Sequence, residues 1–184
     1  MPKVILENKR FGLTIDRLCH QLKESYPTLE DVCVVGIQER GVILAEYLIP
    51  HLTKLYPKQK VKFGKLDISF YRDDFRRRDK PIKVSTTDIE FLIEDQNVIL
   101  IDDVLFTGRT VHAAIAALMD FGRPKKLEFL ALVDRRFNRH FPIKADYSGI
   151  VIDALHEEYV KVEWEHIDGE NKVLLFPSKD TQAQ

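Results

Sequence analysis

The sequence predicts an α/β fold with a central, mostly parallel sheet flanked by helices, and three observations carry that prediction. Apolar periodicity switches repeatedly between strand-like and helix-like along the chain, the pattern of βα units. Several apolar runs lack polar alternation, which marks strands buried on both faces, as in a parallel sheet. The run Val98–Thr110, Val-Ile-Leu-Ile-Asp-Asp-Val-Leu-Phe-Thr-Gly-Arg-Thr, leads one such stretch into two acids and a hydroxyl-rich turn containing glycine.

Taken in order, Val4–Glu7 reads as a short edge strand and Phe11–Tyr26 as an amphipathic helix with Ile15, Leu18, Cys19 and Leu22 on one side. Val32–Ile37 is a second buried strand. The turn Gly36-Ile-Gln-Glu-Arg-Gly41 follows, and Val42–Leu55 resumes a helical pattern with Leu44, Leu48 and Leu52 at spacing four. Val61–Tyr71 is extended. Residues 72–88 are charged and nearly devoid of aliphatics, too long for a simple connection, and suggest a mobile functional loop. Val98 to Ile101 form a short strand with Asp102 and Asp103 at its carboxyl end, and Val111–Phe121 is helical. Leu127–Val133 forms another apolar strand that ends in Asp134 and Arg135. From Lys144 the chain alternates short strand-like runs, and 178–184 looks disordered, leaving 1–177 as one domain.

Composition excludes several classes. With 28 Lys+Arg against 29 Asp+Glu, the net charge of −1 gives no global pull toward nucleic acid or anionic membrane. Cys19 and Cys33, in a helix and an apolar strand, read as small buried hydrophobes. Neither a charged-then-apolar leader nor an apolar run of membrane-span length is present, so a soluble cytoplasmic protein is the expectation. His20, on the first helix, reads as a surface or packing residue.

Parallel sheets open the carboxyl ends of all strands on one edge, where ligands bind. Three features are therefore expected to converge: Gln38-Glu39-Arg40-Gly41, Asp102 to Thr110, and Asp134-Arg135-Arg136. Paired carboxylates can bind ribose hydroxyls or hold Mg²⁺ through water, and Arg40 can grip a pyrophosphate oxygen. Thr107-Gly108-Arg109-Thr110 stands where a helix begins. Unpaired N–H groups there suit a phosphate, with Thr107 and Thr110 adding hydroxyl donors. No Gly-Lys pair follows the strand and no Gly-x-Gly-x-x-Gly occurs, which disfavours the two commonest phosphate folds. Gly-x-Ser-x-Gly, His-Glu-x-x-His and Cys-x-x-Cys motifs are absent too.

Val98–Thr110 closely resembles the ribose-5-phosphate motif of type I phosphoribosyltransferases, which use phosphoribosyl pyrophosphate (PRPP). Leu66-Asp-Ile-Ser-Phe-Tyr-Arg-Asp-Asp74, Gly108–Ala114, Phe121-Gly-Arg-Pro124, Leu132–Arg135 and Phe141–Tyr147 narrow the resemblance to the bifunctional pyrimidine-operon regulator and uracil phosphoribosyltransferase (PyrR) family, over about residues 4 to 165. The resemblance implies a pentosyltransferase with a flexible loop and a small hood over the base, converting uracil and PRPP to UMP and pyrophosphate with Mg²⁺ bound to PRPP.

By the same resemblance Asp102, Asp103 and Arg40 are the catalytic residues, the two acids engaging the ribose hydroxyls. Val104, Leu105, Phe106, Thr107, Gly108, Arg109 and Thr110 would wrap the 5′-phosphate. Arg40 and Gly41 match a pyrophosphate-holding turn whose peptide before the arginine is cis in many relatives. Asp134 and Arg135 match a pair near metal and pyrophosphate, with Asp134 on the Mg²⁺ side. Tyr71, Arg72, Arg76 and Lys80 match the closing loop, and Lys144 and Val160 the base site. A messenger-RNA leader hairpin and a second copy of the chain, in a homodimer or higher oligomer, are the implied macromolecular partners; no membrane is implied.

The sequence departs from that pattern in three places. Glu39 replaces the usual threonine, setting a carboxylate beside the pyrophosphate turn. Arg136-Phe-Asn-Arg139 replaces Gly-His-Arg with one residue more, and Ile152–Glu158 replaces a Pro-Thr-Ser-Lys-type segment near the base. On the RNA side, Gly12 and Leu13 stand where basic residues are possible, although Lys9, Arg10, Arg17 and Lys23 leave a basic patch. A purine-base phosphoribosyltransferase and an RNA-binding regulator with little catalysis are the alternatives.

Overall fold

A computed structural model describes residues 2–72, 86–155 and 157–177. The elements are β1 (Lys3–Glu7), α1 (Asn8–Ser25), β2 (Val32–Ile37), α2 (Arg40–Leu55), β3 (Lys62–Leu66), β4 (Asn97–Leu105), α3 (Arg109–Met119), β5 (Lys126–Arg135), β6 (Tyr147–Ile152), β7 (Tyr159–Glu163), α4 (Glu165–Asp168) and β8 (Lys172–Phe176). Five strands form a wholly parallel sheet in the order β3-β2-β4-β5-β6. A second, antiparallel sheet of three strands, β1-β8-β7, is the hood.

The non-alternating runs have the expected cause, because the central strands are buried on both faces. Ile99 and Ile101 of β4 pack with Phe11, Ile15 and Leu18 of α1 and Leu44 and Leu48 of α2, whereas Val98 and Leu100 pack with Val111, Ala114 and Leu118 of α3. Each buried aliphatic of this kind is worth about 1.5–3 kcal/mol relative to exposure. Cys19 and Cys33 are free and buried, their thiols pushed up to about 12 chiefly by burial. His20 lies on the exposed face of α1. No helix among the described residues is long and apolar enough to cross a membrane.

Several boundaries differ from the sequence-based expectation. β2 has the expected bounds, but β4 does not stop at Ile101: it runs through both acids to Leu105, with Asp102 opposite Ala131 and Val104 opposite Val133 of β5. α2 starts at Arg40 and α3 at Arg109, each two residues early. Of the extended stretch from Val61, only Lys62–Leu66 is strand. The one-turn helix α4 has no counterpart in the reading, since four residues are too few to show a period.

Candidate active site

Asp102 and Asp103 occupy the carboxyl end of the central strand, 8% and 6% exposed. Strict alternation breaks at the acids, since Ile101 and Val104, three residues apart, pack into the same core. Oδ1 of Asp102 accepts the backbone N–H of Asp103 at 2.9 Å. Burial, then the neighbouring charge of Asp103, holds the Asp102 carboxyl well above the ordinary carboxylate range. Burial also raises Asp103, with the Arg40 guanidinium opposing the shift.

Arg40, the first residue of α2, meets that strand end. Its Nε donates to Oδ2 of Asp103 at 2.6 Å, and its Nη2 donates to the carbonyl of Val162 in the hood. Gly41 permits the docking: a Cβ there would stand 2.2 Å from Ile101 O and 3.0 Å from Asp102 Cα. A cis peptide bond is present in this turn, but it joins Gln38 to Glu39, one residue earlier than the resemblance implies. Glu39 is solvent-exposed at the N-cap of α2.

After β4, Val104, Leu105, Phe106 and Thr107 lead into Gly108, which adopts φ +85° and caps α3. That left-handed conformation favours glycine. Thr107 Oγ1 accepts the backbone N–H of Arg109 at 3.4 Å, and Thr110 lies in the helix's first turn. A helix N-terminus thus follows closely on the strand end that carries the two acids.

The third feature converges only in part. Arg135 is buried and joins Arg40, Asp103, Phe106 and Val160 around a cavity of about 490 Å³. Its guanidinium lies 3.8 Å from the centre of the Phe106 ring, and its Nη2 donates to Leu155 O at 2.9 Å. Buried Nε has no partner among the described residues, and burial holds the guanidinium below its ordinary value. Asp134, by contrast, ion-pairs with Arg139 and lines a separate cavity of about 560 Å³ with Arg136 and Lys144. Arg136 is held by both oxygens of Asp153, at 2.6 and 2.8 Å. The residues expected at the base are therefore divided, Val160 in the first cavity and Lys144 in the second.

Of the closing loop, Arg76 and Lys80 lie outside the described residues. Tyr71 hydroxyl donates to Asp120, and Arg72 is close enough to Asp102 to favour its ionised form. The sequence pattern did not show the Arg135–Phe106 stack or the Asp134–Arg139 pair. The first had a signal in the alternation of a strand ending in Asp134-Arg135, whereas the second had none.

The family model for the phosphoribosyl transferase domain matches residues 3–166. Among curated proteins, the bifunctional protein PyrR of Haemophilus ducreyi is 43% identical over 178 residues, covering 97% of this chain and 98% of the relative. The PyrR protein of Caldicellulosiruptor saccharolyticus is 40% identical over 173 residues, covering 94% of each. Among solved structures, the hypoxanthine phosphoribosyltransferase of Trypanosoma cruzi superposes with a TM-score of 0.71 at 17% identity, over 96% of this chain and 97% of that one. A hypoxanthine-guanine phosphoribosyltransferase of Bacillus anthracis gives 0.66 at 23% identity, over 87% of each chain.

Proposed function

The chain belongs to the phosphoribosyltransferase domain family, within it to the bifunctional PyrR proteins, and from that premise we propose that it transfers the phosphoribosyl group of PRPP to uracil, giving UMP and pyrophosphate. The observation that carries the reading is the meeting of Arg40 and Asp103 on a cavity that Val160 and Arg135 also line.

Departure of pyrophosphate leaves positive charge on the ribose and adds negative charge to the leaving group. Such a reaction needs placed charges more than a nucleophile. Arg40 supplies a cation for the departing oxygens, and the acids at 102 and 103 face the sugar. Mg²⁺, arriving with PRPP, would supply further neutralisation of the pyrophosphate. The adjacent carboxylates of Asp102 and Asp103 offer oxygen donors that suit this ion, and their ionisation, resisted by burial, is favoured beside a cation. Asp134 fits that role poorly, since it lines the other cavity, away from Arg40 and Asp103.

The hood supports an imide-bearing base. β7 pairs with β8 along one edge only, and Val162 O on the open edge accepts Arg40. Alternation in the strand puts the N–H and C=O of Val160 on that same open edge, toward the cavity. A donor and acceptor side by side match the N–H and C=O of uracil. Hypoxanthine offers a similar edge, so the deciding experiment is a panel. Purified protein with PRPP and Mg²⁺ is given uracil, hypoxanthine, guanine or xanthine, and nucleotide is measured by chromatography. UMP formation is expected; turnover of purines alone would replace uracil, and no turnover with any base would overturn the transferase reading.

A second, regulatory activity is supported by the bifunctional naming of the relatives and by exposed Lys9 and Arg10 on α1. Arg17 and Lys23 are engaged within the chain, with Gly149 O and Pro27 O respectively. Such a function predicts UMP-stimulated, salt-sensitive binding to a pyrimidine-operon leader hairpin, read by gel shift. Failure to shift that RNA at low salt would remove this second activity.

A further inference from the structure

Segment 136–143 braces the turn after β4 from one side. Arg139 Nη1 donates to Arg135 O at 2.7 Å, to Leu105 O at 3.3 Å and to Phe106 O, while Nε donates to Ile143 O at 3.2 Å and Nη2 to the Asp134 carboxylate. The next carbonyl, Thr107 O, accepts His140 N at 2.9 Å and Phe141 N at 3.3 Å. Carbonyls 105, 106 and 107 are thus drawn to one segment. In a trans peptide the C=O of one residue and the N–H of the next point oppositely. The N–H groups of Phe106, Thr107 and Gly108 are therefore turned to the other side of the turn. Successive N–H groups on one side, continued by a helix N-terminus, make an anion cradle.

We propose that Arg139 is a positioning residue of the phosphoribosyl site, its guanidinium setting the peptides of Leu105 to Thr107 so that their N–H side receives the 5′-phosphate. This rests on the phosphoribosyltransferase reading. Arg139 itself touches no substrate; it acts through the two carbonyls. The planar guanidinium spreads donors over several acceptors in fixed directions, which a lysine ammonium cannot reproduce. Asp134, turned away from the Arg40 cavity, has its place here as the carboxylate that orients Arg139.

Arg139→Lys and Arg139→Gln, compared with the unaltered chain, test this through separate KM values for PRPP and uracil, calorimetric binding of ribose 5-phosphate, and melting temperature. The expected result is a PRPP KM and a ribose 5-phosphate Kd raised about tenfold or more, the uracil KM within about twofold, and Gln worse than Lys. A lowered melting temperature with PRPP KM and ribose 5-phosphate Kd unchanged would reduce Arg139 to a structural residue and overturn the proposal. Should neither variant fold, Asp134→Asn, which keeps Arg139 but frees it, is expected to shift the same two constants less strongly; unchanged constants there overturn it equally. Absence of turnover in the unaltered chain would instead defeat the transferase reading itself, so the two failures are told apart.

Discussion

The guanidinium of Arg40 stands 2.6 Å from Asp103 Oδ2 while also donating to Val162 O, so one side chain links the start of α2, the end of the central strand and the hood. Asp103 is buried where Arg40 is not, their side chains being 9% and 44% exposed. The pair is therefore asymmetric: losing Arg40 leaves a carboxylate without its cation in a dry site, whereas losing the carboxylate leaves a solvated arginine.

That asymmetry gives the first prediction. Arg40→Gln is expected to lower the melting temperature at pH 8 and to raise the PRPP KM, while Asp103→Asn impairs PRPP use with little loss of folding. Adding Asp103→Asn to Arg40→Gln should recover stability. Thermal melts of the four proteins decide it, and a double variant that melts below Arg40→Gln would contradict the account.

Asp102 predicts a pH-dependent trade between stability and activity. Its carboxyl is raised by burial and by Asp103. An acid raised in the fold favours folding at low pH, and the benefit is lost as pH rises through its folded value. Asp102→Asn keeps an acceptor for the Asp103 N–H and removes the charge. The variant should melt above the parent at pH 8, the gap narrowing on acidification, with turnover of PRPP reduced. A gap that is constant across pH would show that ionisation of Asp102 is not the cause.

Arg135 holds the Phe106 ring and Leu155 O at once. A desolvated cation–π contact of this kind is worth about 2 kcal/mol, and lysine does not replace a stacked guanidinium. Arg135→Lys should raise the uracil KM more than the PRPP KM, the reverse of the Arg139 variants, in steady-state assays with each substrate varied in turn.

Both thiols are shielded and pushed up to about 12. Since the thiolate is the reactive form, iodoacetamide at pH 8 should label neither Cys19 nor Cys33 until denaturant unfolds the chain. Mass spectrometry across a urea series would read this, and labelling in native buffer would contradict the burial.

Gly41→Ala should be among the most damaging single changes, because its methyl would meet the backbone of β4. Overpacking against backbone costs about 3 kcal/mol at the upper end of its usual range. The single tryptophan, Trp164, is fully buried beside Phe11 at 5.6 Å between centroids, so its emission gives the unfolding curve for the comparison.

Much of the sheet was legible because burial on both faces writes itself as unbroken aliphatic runs, as at Val32–Ile37. The end of β4 was not, since Asp102 and Asp103 look like a strand terminator in one dimension. Both lie within the strand, where the Asp103 N–H answers one carboxylate and Arg40, from a distant helix, answers the other. Arg40, Asp103 and Arg135 were readable as site candidates from their place at strand ends. The separation of Asp134 from Arg135 was written in the two-residue period of a strand. Arg139 was not readable, because its partners at 105, 106, 134, 135 and 143 are assembled only by the fold.

Asp134 and Arg135 face opposite cavities from adjacent positions of one strand, which makes β5 intolerant of insertions and deletions. One residue gained or lost within Lys126–Arg135 would exchange the two side chains and set a carboxylate against Phe106. Length can vary without that exchange only beyond the strand, and the extra residue relative to the usual Gly-His-Arg falls there, within Arg136–Arg139. Lineages of this fold should accordingly differ in the length of that segment while keeping the strand before it at constant length.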